Sequence, residues 1–200
     1  MRIISGTCRG RKLATLKGMS IRPTSDRVRE SIFNIIGQNI NGVYVLDLFA
    51  GTGAFGIESL SRGAKMALFV DIAKTSCSVI RQNIDLCRFS DKSAVLQADA
   101  LKFSLPEKLL LKQFKGATKK FDLIFVDPPY EMGFVEKVLT SQELSNLVSQ
   151  DSLLILEHSI KEKIPDNLQM VDIYDQRQYG KTLISFFKYS NTFDKSIDSI

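Results

Sequence analysis

From Val43 onward the chain alternates two kinds of segment, and that alternation leaves few folds open. Val43–Phe49 is a continuous apolar run broken by one acid, Asp47, as a strand buried on both faces requires. Gly53–Arg62 then has helical spacing, with Gly63 at its end. Met66–Val70 reads as a second strand, and Ala73–Arg88 as a helix buried along Cys77, Ile80, Ile84 and Cys87. Ser93–Gln97 is a third strand, with a helix over Leu105–Phe114 behind Pro106. Phe121–Val126 is a fourth strand, followed by a helix over Phe134–Leu147 and a fifth strand over Leu153–Glu157. Gln169–Tyr174 and Thr182–Tyr189 close the pattern as a pair turned through Tyr179-Gly180-Lys181. This order predicts an α/β fold, a mostly parallel seven-stranded sheet with helices on both faces. In such a sheet the ligand lies beyond the carboxyl ends of the strands.

The first 40 residues do not share this pattern. Arg2–Ser5 and Arg11–Ala14 read as a small hairpin around Thr7–Gly10. A helix follows Pro23, capped by Thr24 or Ser25, with Val28, Ile32, Ile35 and Ile36 at helical spacing and Phe33 beside them. The expected division is a basic hairpin and helix over 1–40, an α/β domain over 41–189, and a polar tail over 190–200 that frays. Charge separates these parts. Residues 1–30 hold eight basic side chains against two acids, a net of +6. The other residues hold 19 basic against 20 acidic, so the whole excess of +5 sits at the front. A basic segment on a near-neutral body points to a polyanion, because each Lys or Arg that neutralises a phosphate releases a counterion.

At 44% hydrophobic and 24% charged, the composition excludes disorder. No apolar run approaches the roughly 20 residues of a membrane helix, and residues 1–10 lack the apolar stretch of a signal peptide. The three cysteines are odd in number and show no metal-ligand spacing. On one helix, Cys77 and Cys87 stand about 15 Å apart, too far for a disulfide. A reduced, cytoplasmic protein without a metal is expected.

The chemistry falls where the fold predicts it. Asp47-Leu48-Phe49-Ala50-Gly51-Thr52-Gly53-Ala54-Phe55-Gly56 contains a G-x-G-x-x-G, with Asp71 lying 20 residues beyond Gly51. Spacing alone would fit a dinucleotide. Asp47 opposes that, since a carboxylate at the end of strand one would repel a pyrophosphate. It suits a ligand with a cationic end, such as S-adenosylmethionine. Asp71, directly after strand two, can accept both ribose hydroxyls or cap the next helix. Asp99, after strand three, can accept from an adenine amine or serve as a plain loop acid. Asp127-Pro128-Pro129-Tyr130 follows strand four. Its two prolines fix the backbone and donate no N–H, so the segment offers oxygen acceptors beside an aromatic face. That is a receptor for an exocyclic NH₂ on a planar base. His158, the single histidine, reads as structural.

The glycine loop and Asp127-Pro128-Pro129-Tyr130 look like a class I S-adenosylmethionine-dependent methyltransferase acting on an amino nitrogen. Arg2-Ile3-Ile4-Ser5-Gly6, Arg9-Gly10-Arg11-Lys12-Leu13 and Arg22-Pro23-Thr24-Ser25-Asp26-Arg27-Val28-Arg29-Glu30 resemble the bacterial RsmD family, from Met1 to about Phe187. The resemblance implies a Rossmann-like fold and methylation of N2 of guanine 966 in 16S ribosomal RNA. It implies cofactor contacts from Asp47, Phe49, Gly51, Gly53, Asp71, Ile72, Asp99 and Ala100. The reacting site would be Asp127, Pro128, Pro129 and Tyr130, and RNA contacts would come from Arg2, Arg9, Arg11, Lys12, Arg22, Thr24, Arg27 and Arg29. One departure is Asp71, where many class I enzymes carry Glu.

Three other readings remain open on sequence. A DNA adenine-N6 methyltransferase shares the tetrapeptide, but no separate target-recognition domain is evident. An RNA-binding assembly factor would not need Asp47, Gly51, Gly53 and Asp127. A dinucleotide oxidoreductase leaves Asp127–Tyr130 without a role. A monomer is expected. A small domain with a short basic extension has little surface for sequence readout, so an assembling small-subunit particle is the expected substrate.

Overall fold

The computed structural model describes residues 1–16, 26–37, 40–102, 120–168 and 171–189. The helix expected over Leu105–Phe114, the cap at Thr24 or Ser25, and the tail after Tyr189 lie outside them. Helix α1 spans Asp26–Ile36. Strand β1 (Tyr44–Leu48) leads to α2 (Ala54–Ser61), β2 (Met66–Asp71), α3 (Lys74–Cys87) and β3 (Ser93–Gln97). Then come β4 (Phe121–Val126), α4 (Phe134–Leu139), α5 (Gln142–Ser145), β5 (Val148–Ser159), β6 (Val171–Tyr179) and β7 (Thr182–Tyr189).

The strands form one seven-stranded sheet in the order β3-β2-β1-β4-β5-β7-β6. The pairs from β3 through β5 are parallel. β7 runs antiparallel between β5 and β6, closed by the short turn at Gly180 and Lys181. After β3 the chain returns to the other side of β1, so the order reverses between β1 and β4. That reversal opens a crevice at their carboxyl ends.

Both central strands are buried on both faces, which explains their unbroken apolar runs. One face packs Val45, Phe69, Leu123, Phe125 and Ile155 against α2, α3 and α1. Ile3, Cys8 and Leu13 of the N-terminal segment belong to this same core. The other face packs Leu46, Leu68, Ile124 and Leu154 beneath Val135, Val138 and Leu139 of α4 and Leu144 of α5. Among the described residues, no helix is long and apolar enough to cross a membrane.

Four elements differ from the sequence reading. The hairpin is present but short: one bridge, Arg2 with Lys12, with Leu13 N donating to the Met1 carbonyl, Ile3 N to Arg11 and Gly10 N to Ile3. Beyond it the backbone donors go to α2: Ile4 and Ser5 donate to Glu58, and Thr7 donates to the Ser61 carbonyl. The helix expected over Phe134–Leu147 is split, because Ser141 accepts from Leu144 N and starts a new helix there. β5 begins at Val148 instead of Leu153, with an irregularity where Ser152 Oγ donates to the Phe121 carbonyl. β6 runs to Tyr179 as a largely exposed edge strand, so few buried positions mark its length.

The N-terminal segment is held by a buried charge cluster. The Glu58 carboxylate accepts from Ile4 N at 2.8 Å, Ser5 N at 3.0 Å and Arg62 Nε at 2.8 Å. Arg29 Nε lies 3.9 Å away, and both residues are fully buried. Arg29 also donates to Asp26 and to the Arg2 carbonyl, while Arg62 lies over the Phe33 ring at 4.4 Å. Glu58→Gln removes the charge that compensates two arginines and turns one acceptor into a donor. Breaking a buried pair costs about 3–5 kcal/mol. Urea unfolding should show a loss of that size, with faster amide exchange at Ile4 and Ser5.

Candidate active site

Four acids stand at or just beyond the carboxyl ends of β1 to β4. Asp47 lies within β1 and is 2% exposed. Its Oδ2 accepts from Gly56 N at 2.9 Å, in the first turns of α2. A side chain at Gly56 would place Cβ 2.3 Å from the Phe69 ring, so the close seat of α2 on β2 requires glycine there. Burial pushes the Asp47 carboxyl up to about 8; the nearby Asp71 adds to this and the Gly56 bond opposes it.

Between Asp47 and α2 the backbone turns sharply. Phe49 and Gly51 both have φ of 55° and Gly53 has φ of 77°. At Gly51 a Cβ would meet nothing closer than 3.9 Å, so the loop backbone there faces open space. The Phe49 ring leaves the loop and packs edge-on against Phe134 at 5.1 Å. Asp71 braces the loop from β2: Oδ2 accepts from Gly51 N and Oδ1 from Ala73 N, each at 2.8 Å. It therefore combines a turn at the head of α3 with a position against the glycine loop. Ile72 beside it is 68% exposed, an apolar plate at the rim. Asp99 Oδ1 accepts from Leu101 N at 3.0 Å, and Ala100 is buried.

At the end of β4, Asp127 is half-buried, Pro128 buried and Pro129 exposed. Tyr130 is 40% exposed, and its hydroxyl donates to Glu157 Oε1 at 2.7 Å and lies 3.0 Å from Thr182 Oγ1. Burial raises the Tyr130 hydroxyl well above the usual phenol range; the Glu157 and Asp127 carboxylates add to this and the Thr182 bond opposes it. It therefore stays protonated. Glu157 and Thr182 were not singled out on sequence. The signal for Glu157 was present, since it directly follows the apolar run Leu153–Leu156 of the strand next to β4.

The basic residues divide. Arg2, Arg9, Arg11, Lys12 and Arg27 are exposed, although Arg2 pairs with Asp26 at 3.6 Å and Arg11 donates to the Leu86 carbonyl. Arg29 is fully buried in the Glu58 cluster, which corrects its expected place among the RNA contacts: its guanidinium faces the core. Arg22 and Thr24 lie outside the described residues. A further residue, buried Asn83 of α3, joins the N-terminal segment to the glycine loop. Its amide donates to the Ala14 and Thr52 carbonyls at 3.1 and 2.9 Å, and its oxygen accepts from Ala14 N at 2.7 Å. His158 is buried, bonded to the Ser159 carbonyl and Ser185 Oγ. This is the structural role expected of it.

Comparison with known proteins bears on this geometry. The chain matches the family described as "Conserved hypothetical protein 95" over residues 1–188. It is 35% identical over 158 residues to "Ribosomal RNA small subunit methyltransferase D" of Haemophilus influenzae, covering 78% of each chain. It is 32% identical over 165 residues to the protein of that name in Escherichia coli K12, covering 82% of this chain and 78% of the relative. A solved Escherichia coli protein provisionally named methyltransferase yhhF superposes with a TM-score of 0.77 at 28% identity. It covers 95% of this chain and 98% of its own.

Asp47 makes stability depend on pH. Its folded-state value of about 8 lies above the ordinary 3.8, so the folded protein keeps a proton that the unfolded chain releases. That contribution is complete below about pH 4 and is lost as pH rises toward 8. Asp47→Asn cannot ionise and should remove a slope of up to about 1.4 kcal/mol per pH unit across that window. Urea titrations from pH 5 to 8 should show the variant gaining on the wild type as pH rises.

Proposed function

The chain belongs to the conserved hypothetical protein 95 family, the RsmD family of small-subunit ribosomal RNA methyltransferases, and from that membership we propose that it methylates the exocyclic N2 of a guanine in 16S ribosomal RNA. The methyl donor is S-adenosylmethionine. One observation carries the choice of an amino nitrogen: the segment Asp127-Pro128-Pro129-Tyr130, whose two prolines donate no N–H, leaves β4 beside the glycine loop of β1, at the reversal of strand order.

The residues fit the donor. Gly51 leaves the backbone open to a close ligand, Asp71 stands against it, and exposed Ile72 offers a face to a planar ring. Burial raises the Asp47 carboxyl, and a cationic end arriving beside it favours the ionised form. Asp99 and Ala100 border the same edge of the sheet, and Phe49 and Gly53 shape the loop. When bound, the sulfonium supplies an electrophilic methyl carbon.

The chain's own residues do the rest. Asp127 and the Pro128 carbonyl accept the two hydrogens of the base amine, which draws its lone pair out of the ring. The Tyr130 ring stacks on the base, and Pro129 fixes the turn between them. Holding the nitrogen in line in this way contributes up to roughly 7–11 kcal/mol in favourable cases. Asp127 takes the proton released as the N–C bond forms. The target base is turned out of its stack at a cost of a few kcal/mol.

Residues 1–40 hold the RNA through Arg2, Arg9, Arg11, Lys12 and Arg27, and residues 41–189 carry the chemistry. Phosphate contacts of this kind orient the RNA, while the pocket reads the base. The protein acts as a cytoplasmic monomer, and its substrate is an assembling small-subunit particle, whose proteins fix the RNA shape that so small a domain cannot specify.

Labelled methyl transfer to small-subunit particles lacking the modification tests the reading. The expected product is N2-methylguanosine by mass, and Asp127→Ala should lower its formation by about 10²–10⁴-fold. Incorporation into DNA alone would overturn the proposal. The basic arm has a separate test. Arg9→Ala and Lys12→Ala should each weaken RNA binding and reduce the slope of log K against log salt by about 1.

A further inference from the structure

We propose that Glu157 is the residue that selects guanine over adenine, accepting the ring N1–H of the target base while Asp127 and the Pro128 carbonyl hold its N2 amine. The inference rests on the guanine reading above and adds a residue to it. An acceptor array for an NH₂ group cannot by itself tell the N2 of guanine from the N6 of adenine. The ring atom beside the amine can. In guanine N1 carries a hydrogen, and in adenine N1 carries a lone pair. A carboxylate placed next to the amine receptor accepts from the first and repels the second.

Glu157 occupies that place. β4 and β5 are parallel, and Val126 pairs with Leu156. By that register Asp127, the first residue beyond β4, stands opposite Glu157, which lies within β5. The Tyr130 hydroxyl bonds Glu157 Oε1 at 2.7 Å, which fixes the carboxylate at the edge of the exposed ring that stacks the base. Glu157 is 7% exposed, so water does little to blunt its effect. A carboxylate has about four acceptor sites, so accepting from one hydroxyl does not exhaust it. Nothing in the methyl-donor site or the proton step uses this residue.

A rival role is positioning alone, with Glu157 acting only through Tyr130. Two substitutions and two bases separate the roles. 2-Aminopurine keeps the exocyclic amine at C2 but lacks the N1–H. Particles carrying guanine or 2-aminopurine at the methylated position would be assayed with wild type, Glu157→Gln, Glu157→Asp and Tyr130→Phe. Calorimetry with S-adenosylmethionine would confirm that each variant keeps donor binding within about 2-fold.

Wild type should favour guanine by at least about 10²-fold, because the analogue turns a lone pair toward a buried carboxylate where guanine offers an N–H. In Glu157→Gln, whose amide can donate to the bare N1, that ratio should collapse by at least about 10-fold. Glu157→Asp should retain most of the preference, and Tyr130→Phe should slow both bases alike. An unchanged ratio in Glu157→Gln, or an equal shift in Tyr130→Phe, would overturn the assignment while leaving the methylation reading intact. Failure of wild type to methylate the guanine particle would overturn both.

Discussion

One buried carboxylate, Glu58, joins parts of the molecule that sequence alone leaves separate. It accepts from the main chain of the N-terminal segment and from Arg62 of its own helix end, and it faces Arg29 of α1. A buried charge of this kind is tolerated only when its partners are all in place. The cluster therefore gives the N-terminal segment, α1 and α2 one joint solution. Since α2 begins directly after the glycine loop, the same carboxylate sets where a basic arm stands relative to the chemistry.

The arm and the loop are joined a second time, through Asn83. Its side chain bonds the Ala14 main chain on one side and the Thr52 carbonyl on the other. A buried amide with both ends committed specifies distance and orientation together. The exposed basic residues Arg9, Arg11 and Lys12 thus sit in the frame of the glycine loop, and under the proposed function a phosphate held by the arm has a fixed relation to the pocket. Positioning of this kind is where much of the acceleration in a bimolecular transfer resides.

The sheet was largely readable because its central strands are buried on both faces, and unbroken apolar runs such as Phe121–Val126 record that directly. The acids at the strand ends were readable for the same reason: a charge at the edge of an apolar run stands out. The misses have a common cause. β6 is a mostly exposed edge strand with no burial period to read, and β5 opens at Val148 and runs straight into the polar stretch Ser149–Ser152. The split after α4 depends on one serine preferring a cap to a helix interior. Arg29 was misplaced because charge counting treats every arginine as solvated, while its burial depends on Glu58, 29 residues away. Asn83 and Thr182 carry no local signal, since each acts only through partners distant in sequence.

The tetrapeptide after β4 is general chemistry, and its surroundings give it direction. Prolines supply acceptors and rigidity to any base bearing an amine. The strand beside it, β5, carries a second carboxylate, Glu157, one register position further on, and β7 returns antiparallel to bring Thr182 to the same tyrosine hydroxyl. An enzyme built for adenine would need a donor where Glu157 stands. The antiparallel edge of the sheet therefore does more than close the fold. It fixes the ring of Tyr130 at its outer end through Glu157 and Thr182, and on the proposed guanine reading this holds the selecting carboxylate beside the base edge.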